Sequence, residues 1–334
     1  MRIAVDAMGG DKAPATEVEG AFEIVPDLGD HEVVLVGDQA RIEEEARRLG
    51  GLPSGVTIEH ASQAVTMTDS PVEAIRRKPD SSIARCVGLV SDGKADAIVS
   101  AGNTGAVVAL STLKLGLLEG VRRPGIAVGL PTRHGGHTMV IDCGANVKCT
   151  PEHLYHYGVM ATDYERYVYG CENPRVALLN IGAESVKGNP LVKQAHELFE
   201  GSSLNYVGYV EGGDIYEGDI DVVVCEGFVG NVVLKVSEGL AMALMGMVKD
   251  AFTRTLRRRV GGMLCKFALM EIKDRVDSSE FGAAPLLGVN STVMIAHGHS
   301  DGHAIANAIR HAIEATSHHI NEHIVADLRA GNAN

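Results

Sequence analysis

Tryptophan is absent from this 334-residue chain, and aromatic residues make up only 4% of it. A core built without large rings must close on aliphatic and small side chains. Basic residues are also in deficit: 30 Lys and Arg face 43 Asp and Glu, a formal net charge of −13. A nucleic-acid binder normally carries a basic face, so no nucleic-acid partner is expected. The six cysteines (Cys86, Cys143, Cys149, Cys171, Cys225 and Cys265) form no C-x-x-C pair and no zinc-ligand spacing. No uninterrupted apolar run is long enough to span a bilayer. Met1 to Asp6 reads as a strand and lacks a signal-peptide core. The expectation is a reduced, cytoplasmic protein whose thiols are mostly buried small hydrophobes, with no metal site. Also missing are a G-x-S-x-G elbow, a P-loop and a G-x-G-x-x-G fingerprint.

What is present is a 45% hydrophobic composition and 39 glycines. That is enough apolar material for one large α/β domain. Short continuous apolar runs alternate with helical patterns. Ile3–Val5, Val33–Val36, Ala97–Val99, Thr138–Ile141, Val176–Leu179, Val222–Val224 and Met294–Ala296 read as buried strands. A helix follows through Ile42 to Leu49, and a final one runs through Ile324. Such runs predict a sheet covered on both faces, with ligands beyond the carboxyl ends of the strands. The expected organisation is a single α/β catalytic domain over 1–328, made of two intertwined lobes. A helical projection is expected at about 232–280, and a frayed tail at 329–334.

Polar, glycine-rich clusters sit at nearly every strand end, which nominates them together as one cleft. Asp6-Ala7-Met8-Gly9-Gly10-Asp11-Lys12 can face backbone N–H groups to an anion, with Lys12 adding charge; the plainer reading is a turn with Asp11 as a local cap. Ser100-Ala101-Gly102-Asn103-Thr104-Gly105 opens a helix and supplies free N–H groups with hydroxyl and amide side chains. The bland alternative is an N-cap. Asp142-Cys143-Gly144-Ala145-Asn146, Asn180-Ile181-Gly182, Lys187-Gly188-Asn189 and Gly227-Phe228-Val229-Gly230-Asn231 complete the set. Cys225 reads as an inert strand thiol rather than a nucleophile. His297, His299 and His303, and His319 with His323 one turn apart on a polar helix, read as solvated or hydrogen-bonded rather than metal-bound.

Between Val232 and Glu280, Leu240, Leu244, Met247, Val248 and Phe252 recur at helical spacing. Arg254, Arg257, Arg258 and Arg259 follow, then Met263, Leu264 and Phe267. This predicts a helix, a break at Gly261-Gly262, and a second helix. An apolar tip flanked by cations suits an anionic membrane or an acidic carrier protein. The alternative is a dimer interface along the apolar stripe with solvated arginines.

Taken in order, the segments Val5 to Asp11, Ser100 to Ala106, Asp142 to Asn146, Leu179 to Gly182, Lys187 to Asn189, Gly227 to Asn231 and Gly282 to Gly288 resemble the phosphate acyltransferase family of bacterial phospholipid synthesis, often called PlsX. The resemblance runs through nearly the whole chain. Lys12 departs from the family's His before Ala-Pro, and Glu226 from its Asp before Gly-Phe. The resemblance implies a three-layer α/β/α fold with a mixed, mostly parallel sheet, similar to phosphotransacetylases and isocitrate dehydrogenase. It implies a homodimer without organic cofactor that takes an acyl group from acyl carrier protein. Inorganic phosphate is the acceptor, and the acyl phosphate passes to a membrane glycerol-3-phosphate acyltransferase. Peripheral contact with anionic membrane is a further expectation.

Phosphate is already an anionic nucleophile, so positioning and oxyanion stabilisation carry such a reaction. Ser100, Gly102, Asn103, Thr104 and Gly105, with Gly9, Gly10 and Lys12, are assigned to phosphate. Lys187, Asn146 and Asn231 are assigned to charge balance and the carbonyl. Asp6, Asp11 and Asp142 are assigned to bracing the loops. Three rivals stand beside this reading: a phosphate acetyltransferase using coenzyme A, an NAD(P)-dependent decarboxylating dehydrogenase, and a non-catalytic anion-binding scaffold.

Overall fold

The computed structural model describes residues 1–184, 186–276 and 283–331. Ser185, Gly282, the end of the expected projection (277–280) and the last three residues of the expected tail (332–334) lie outside the described residues.

Five strands run parallel: β1 (Arg2–Asp6), β2 (Glu32–Gly37), β3 (Val56–His60), β4 (Ala97–Ser100) and β11 (Thr292–Ile295). Four others are parallel among themselves: β6 (His137–Ile141), β7 (Val176–Leu179), β8 (Tyr206–Val210) and β9 (Val222–Val224). Between the two groups lie β10 (Ala284–Leu287), antiparallel to both its neighbours, and β5 (Gly125–Pro131), antiparallel to β6. The order across the 11-stranded sheet is β3-β2-β1-β4-β11-β10-β5-β6-β9-β7-β8.

Strand residues alternate between two cores, as the two-residue period of a strand requires. Ile3, Val5, Val33, Leu35, Val99, Met139 and Ile141 face one core; Ala4, Val34, Val36, Ile98 and Val140 face the other. The first core is covered by α1 (Ala15–Glu23), α2 (Gln39–Arg48), α6 (Pro151–Tyr167), α11 (Gly302–Ser317) and α12 (Ile320–Gly331). The second is covered by α3 (Pro71–Arg77), α4 (Ser82–Ser91), α5 (Thr104–Lys114) and the base of α8 (Gly227–Thr253). The result is a three-layer α/β/α fold with a mixed, mostly parallel sheet.

Four strands, β3, β5, β8 and β10, are not among the runs read from the sequence. The apolar runs in them are short or interrupted. β5 carries two glycines and a proline, and β10 opens on Ala-Pro. β8 is an edge strand with Gly208 at φ +100° and a register shift opposite. β3, the other edge, alternates apolar and polar residues. The single final helix is in fact two, because His319 breaks the chain at φ +50°. His319 and His323 therefore do not share a helix turn; His323 stacks on Tyr167 at 3.6 Å, and His319 lies 3.3 Å from Glu322. The expected fray at 329 is corrected as well: α12 continues through Gly331, Leu328 is buried, and Arg329 pairs with Glu119.

The projection is α8 followed by α9 (Leu256–Leu264) and α10 (Lys266–Val276). Its breaks fall at Thr255 and Cys265 rather than at Gly261-Gly262. Thr255 caps α9 by accepting the Arg258 N–H, which fixes the turn. Gly262 instead sits inside α9 where a Cβ would press on Phe252, so the glycine permits close packing of α9 on α8. Lys235 and Glu238 divide the apolar sequence of α8, so it does not read as an uninterrupted run. As a 27-residue helix it is nevertheless long and apolar enough to cross a bilayer by length and composition.

Phe199 of α7 (Pro190–Glu200) is fully buried and packs where only Gly158 of α6 leaves room. Replacing Phe199 with Ala is expected to cost about 3–5 kcal/mol, read as a lower denaturation midpoint with an unchanged denaturant slope.

Candidate active site

Strand direction reverses across β10 and again at β6, so the carboxyl ends of the two parallel groups leave the sheet in opposite senses. The clusters therefore fall into two groups, one after each parallel set of strands. α8 joins them.

The first cluster surrounds Asp6. Its carboxylate is fully buried and accepts from the Ser100 hydroxyl (2.7 Å) and the Met8 N–H (3.3 Å), with Ser82 adding a third hydrogen bond. Burial still raises its pKa. Ser100 Oγ in turn accepts the Gly102 N–H at 3.1 Å, so the hydroxyl is committed within the protein. Gly9 packs on Gly102 so closely that a Cβ would stand 2.7 Å from the Gly102 nitrogen. Gly10 N–H donates to Glu17 Oε1 at 3.0 Å. Asn103 caps α5 through the Ala106 N–H, while its amide donates to the carbonyls of Thr66, Met67 and Asp69. That leaves the N–H groups of Asn103, Thr104 and Gly105 uncommitted among the described residues, pointing from a helix start. Asp11 does not cap α1, whose N-cap is Pro14; its carboxylate meets His299 at 3.1 Å and its N–H donates to Gly298 at 2.8 Å. Lys12 is exposed.

The second cluster surrounds Asp142, whose side chain collects the N–H groups of Ile126, Gly144, Ala145 and Asn146 at 2.8–3.1 Å. Desolvation raises the Asp142 pKa against the pull of those bonds. Asn146 donates to Pro124 O (2.6 Å) and Tyr157 Oη (2.9 Å), so both amide protons are engaged. Gly227 and Gly230 bring α8 onto this loop; a Cβ on Gly230 would overlap the Asp142 carbonyl oxygen. Asn231 is exposed beside Gly144 with its amide uncommitted among the described residues. Cys143 and Cys225 lie beneath, and burial pushes both thiols far up, which removes them as nucleophiles. Three cysteines are buried; Cys149 and Cys171 are half-buried, and Cys265 is exposed on the projection.

Lys187 stands in the loop after β7, on the same side of the sheet as Asp142, and pairs with Glu184 at 2.8 Å. Asn189 caps α7 through the Val192 N–H. Arg254, Arg257, Arg258, Arg259, Met263, Leu264 and Phe267 are all exposed on the projection, remote in sequence from both clusters.

α8 crosses one face of the sheet on Val229, Val233 and Leu234. Its third turn carries Lys235, whose ammonium donates to Glu238 (2.8 Å) and His297 Nε2 (3.0 Å). His297 follows β11, whose last residue registers with Ser100. Sequence reasoning missed Lys235 and Glu238 as site neighbours. The available signal was their spacing from Asn231, at i+4 and i+7, which puts all three on one helix face. Glu17 was missed because a glutamate in a helix reads as solvated. Among the described residues no group of three metal-type side chains forms a metal site.

The two groups thus combine buried loops held by backbone N–H bonds, uncommitted helix-start amides and a floor of buried thiols. The family described as "Fatty acid synthesis protein" matches residues 1–323, and the chain belongs to it. Curated relatives named phosphate acyltransferase include one from Geotalea uraniireducens, 46% identical over 98% of this chain and 94% of that protein. Another, from Desulfitobacterium hafniense, is 48% identical over 98% of both. In fold, the chain is similar to a phosphotransacetylase from Streptococcus pyogenes, with TM-score 0.63 and 16% identity over 95% of this chain and 94% of that one. It is also similar to a 4-hydroxythreonine-4-phosphate dehydrogenase from Klebsiella pneumoniae, with TM-score 0.54 and 14% identity over 96% and 98%.

Glu17 supplies a pH test. Burial raises its pKa from 4.5 to about 7. Between those values the unfolded chain releases the proton and the folded chain keeps it, so stability falls as pH rises through the window. Glu17→Gln is expected to raise the thermal midpoint at about pH 8 and to lose that advantage near pH 4.5; a pH-independent difference would contradict the assignment. Lys187→Ala is expected to cut turnover at an unchanged thermal midpoint, and full activity would remove Lys187 from the site.

Proposed function

We propose that this enzyme moves a long-chain fatty acyl group from acyl carrier protein to inorganic phosphate, forming an acyl phosphate for glycerol-3-phosphate acylation. The observation that carries the reading is the combination of uncommitted N–H groups at Asn103, Thr104 and Gly105 with the commitment of the Ser100 hydroxyl and the burial of the Cys143 and Cys225 thiols. Phosphate then attacks the thioester carbonyl directly. The carbon–sulfur bond breaks and the pantetheine thiolate leaves, its conjugate acid having a pKa near 8.5. The protein's task is to hold two reactants together and to stabilise the oxyanion. The exposed, uncommitted Asn231 suits the oxyanion, while Lys187 balances charge. No organic cofactor is required.

The names of the curated relatives support the phosphate acceptor. The carrier as donor rests on the exposed Arg254, Arg257, Arg258 and Arg259, which suit an acidic partner. Phe228, Val232, Val236, Leu240 and Leu244 recur every four residues and stay exposed on α8. This stripe supports a homodimer. Met263, Leu264 and Phe267 beside the arginines support peripheral contact with anionic membrane, close to the membrane acyltransferase that uses the product. Such a protein works in the cytoplasm at the membrane surface.

The test is phosphate-dependent consumption of a long-chain acyl thioester of acyl carrier protein, with the acyl phosphate detected directly. Product formed only when phosphate is present is the expected result. Turnover of short acyl-coenzyme A alone would move the assignment to a phosphate acetyltransferase, and phosphate binding without any turnover would leave a scaffold.

A further inference from the structure

The two clusters follow strands of opposite sense, yet the reaction needs phosphate and carbonyl within reach of each other. One helix face resolves this. Asn231, Lys235 and Glu238 lie at i, i+4 and i+7 on α8. Asn231 stands beside Gly144 of the second cluster, and Lys235 touches His297 of the first. Four residues of helix rise roughly 6 Å, so the amide and the ammonium are one turn apart.

The surroundings of Lys235 are those of a cation held for use. Glu238 and His297 take two of its three ammonium protons at 2.8 and 3.0 Å. The third has no acceptor among the described residues, and the side chain is half exposed. The His297-Gly298-His299 loop is itself fixed in the first cluster. Ala296 N–H donates to Ser100 O at 2.9 Å, Asp11 N–H donates to Gly298 O at 2.8 Å, and His299 meets the Asp11 carboxylate at 3.1 Å. The same loop thus touches the strand end carrying Ser100 and the glycine turn at Gly9-Gly10. Neither Lys12, which is exposed, nor Lys187, paired with Glu184 in the other cluster, is tied to this loop.

We propose that Lys235, oriented by His297 and Glu238, binds the acceptor phosphate one helical turn from Asn231. The helix face then sets the distance between the attacking oxygen and the thioester carbonyl. This rests on the acyl-transfer reading for its catalytic meaning; the binding itself does not.

The experiment therefore has two readouts on the intact protein. Inorganic phosphate binding is measured by calorimetry for wild type, Lys235→Met, Lys235→Arg and Lys12→Met, with thermal midpoints as the folding control. Steady-state acyl phosphate formation is measured on the same proteins. Lys235→Met is expected to weaken phosphate binding about tenfold or more and to raise the phosphate KM in parallel, with the acyl-thioester KM unchanged. Lys235→Arg is expected to recover part of the loss, because it restores the charge. Phosphate affinity of folded Lys235→Met within about twofold of wild type would overturn the assignment, as would wild type that binds no phosphate. If Lys235→Met loses binding while wild type makes no acyl phosphate, the phosphate site stands and the acyl-transfer reading falls.

Discussion

The Asp142 carboxylate is the point on which the second half of the molecule hangs. One buried side chain gathers N–H groups from the start of β5 and from the loop after β6. Its own carbonyl sets the clearance that only Gly230 of α8 can meet. An unpaired buried carboxylate would be very costly, so these donors hold their places as a group. The Ile126 bond ties this loop to β5, which joins the first half of the sheet through β10. Gly230 and the packing of Val229, Val233 and Leu234 seat α8 against the same region.

Asp6 plays the corresponding part in the first half, with Ser100, Ser82 and Met8 as donors. In both clusters the buried acid holds the loop; in the first, the N–H groups of Asn103, Thr104 and Gly105 stay uncommitted among the described residues. Loops fixed in this way suit a site whose work is placement rather than attack by a side chain, as the proposed acyl transfer requires. The committed side chains of Ser100, Asn103 and Asn146 belong to the scaffold that fixes the cradle's shape, whichever backbone groups touch the ligand.

The sequence made the central strands legible because they are buried on both faces and carry continuous apolar runs. Ile3–Val5 and Ala97–Val99 are examples. It hid β5 and β10 because Gly125, Gly129, Pro131 and Pro285 interrupt the apolar signal where the sheet changes direction. That change cannot be read locally: strand sense is set by which strands pair, a long-range fact. At the site, glycine clusters were legible from composition and position. Lys235 was not, because its partner His297 lies 62 residues away. Glu17 looks like any helix glutamate until tertiary packing buries it.

The projection also carries a chemical address. Cys265 sits at the turn between α9 and α10 and is the one exposed thiol of the six, the others being buried or half-buried. A maleimide reagent that reacts in proportion to exposure will modify this position first. A fluorophore there would sit beside Leu264 and Phe267, separated along the chain from both clusters. In a chain without tryptophan, such a label would give the projection an optical signal of its own, against almost no background from the rest of the fold.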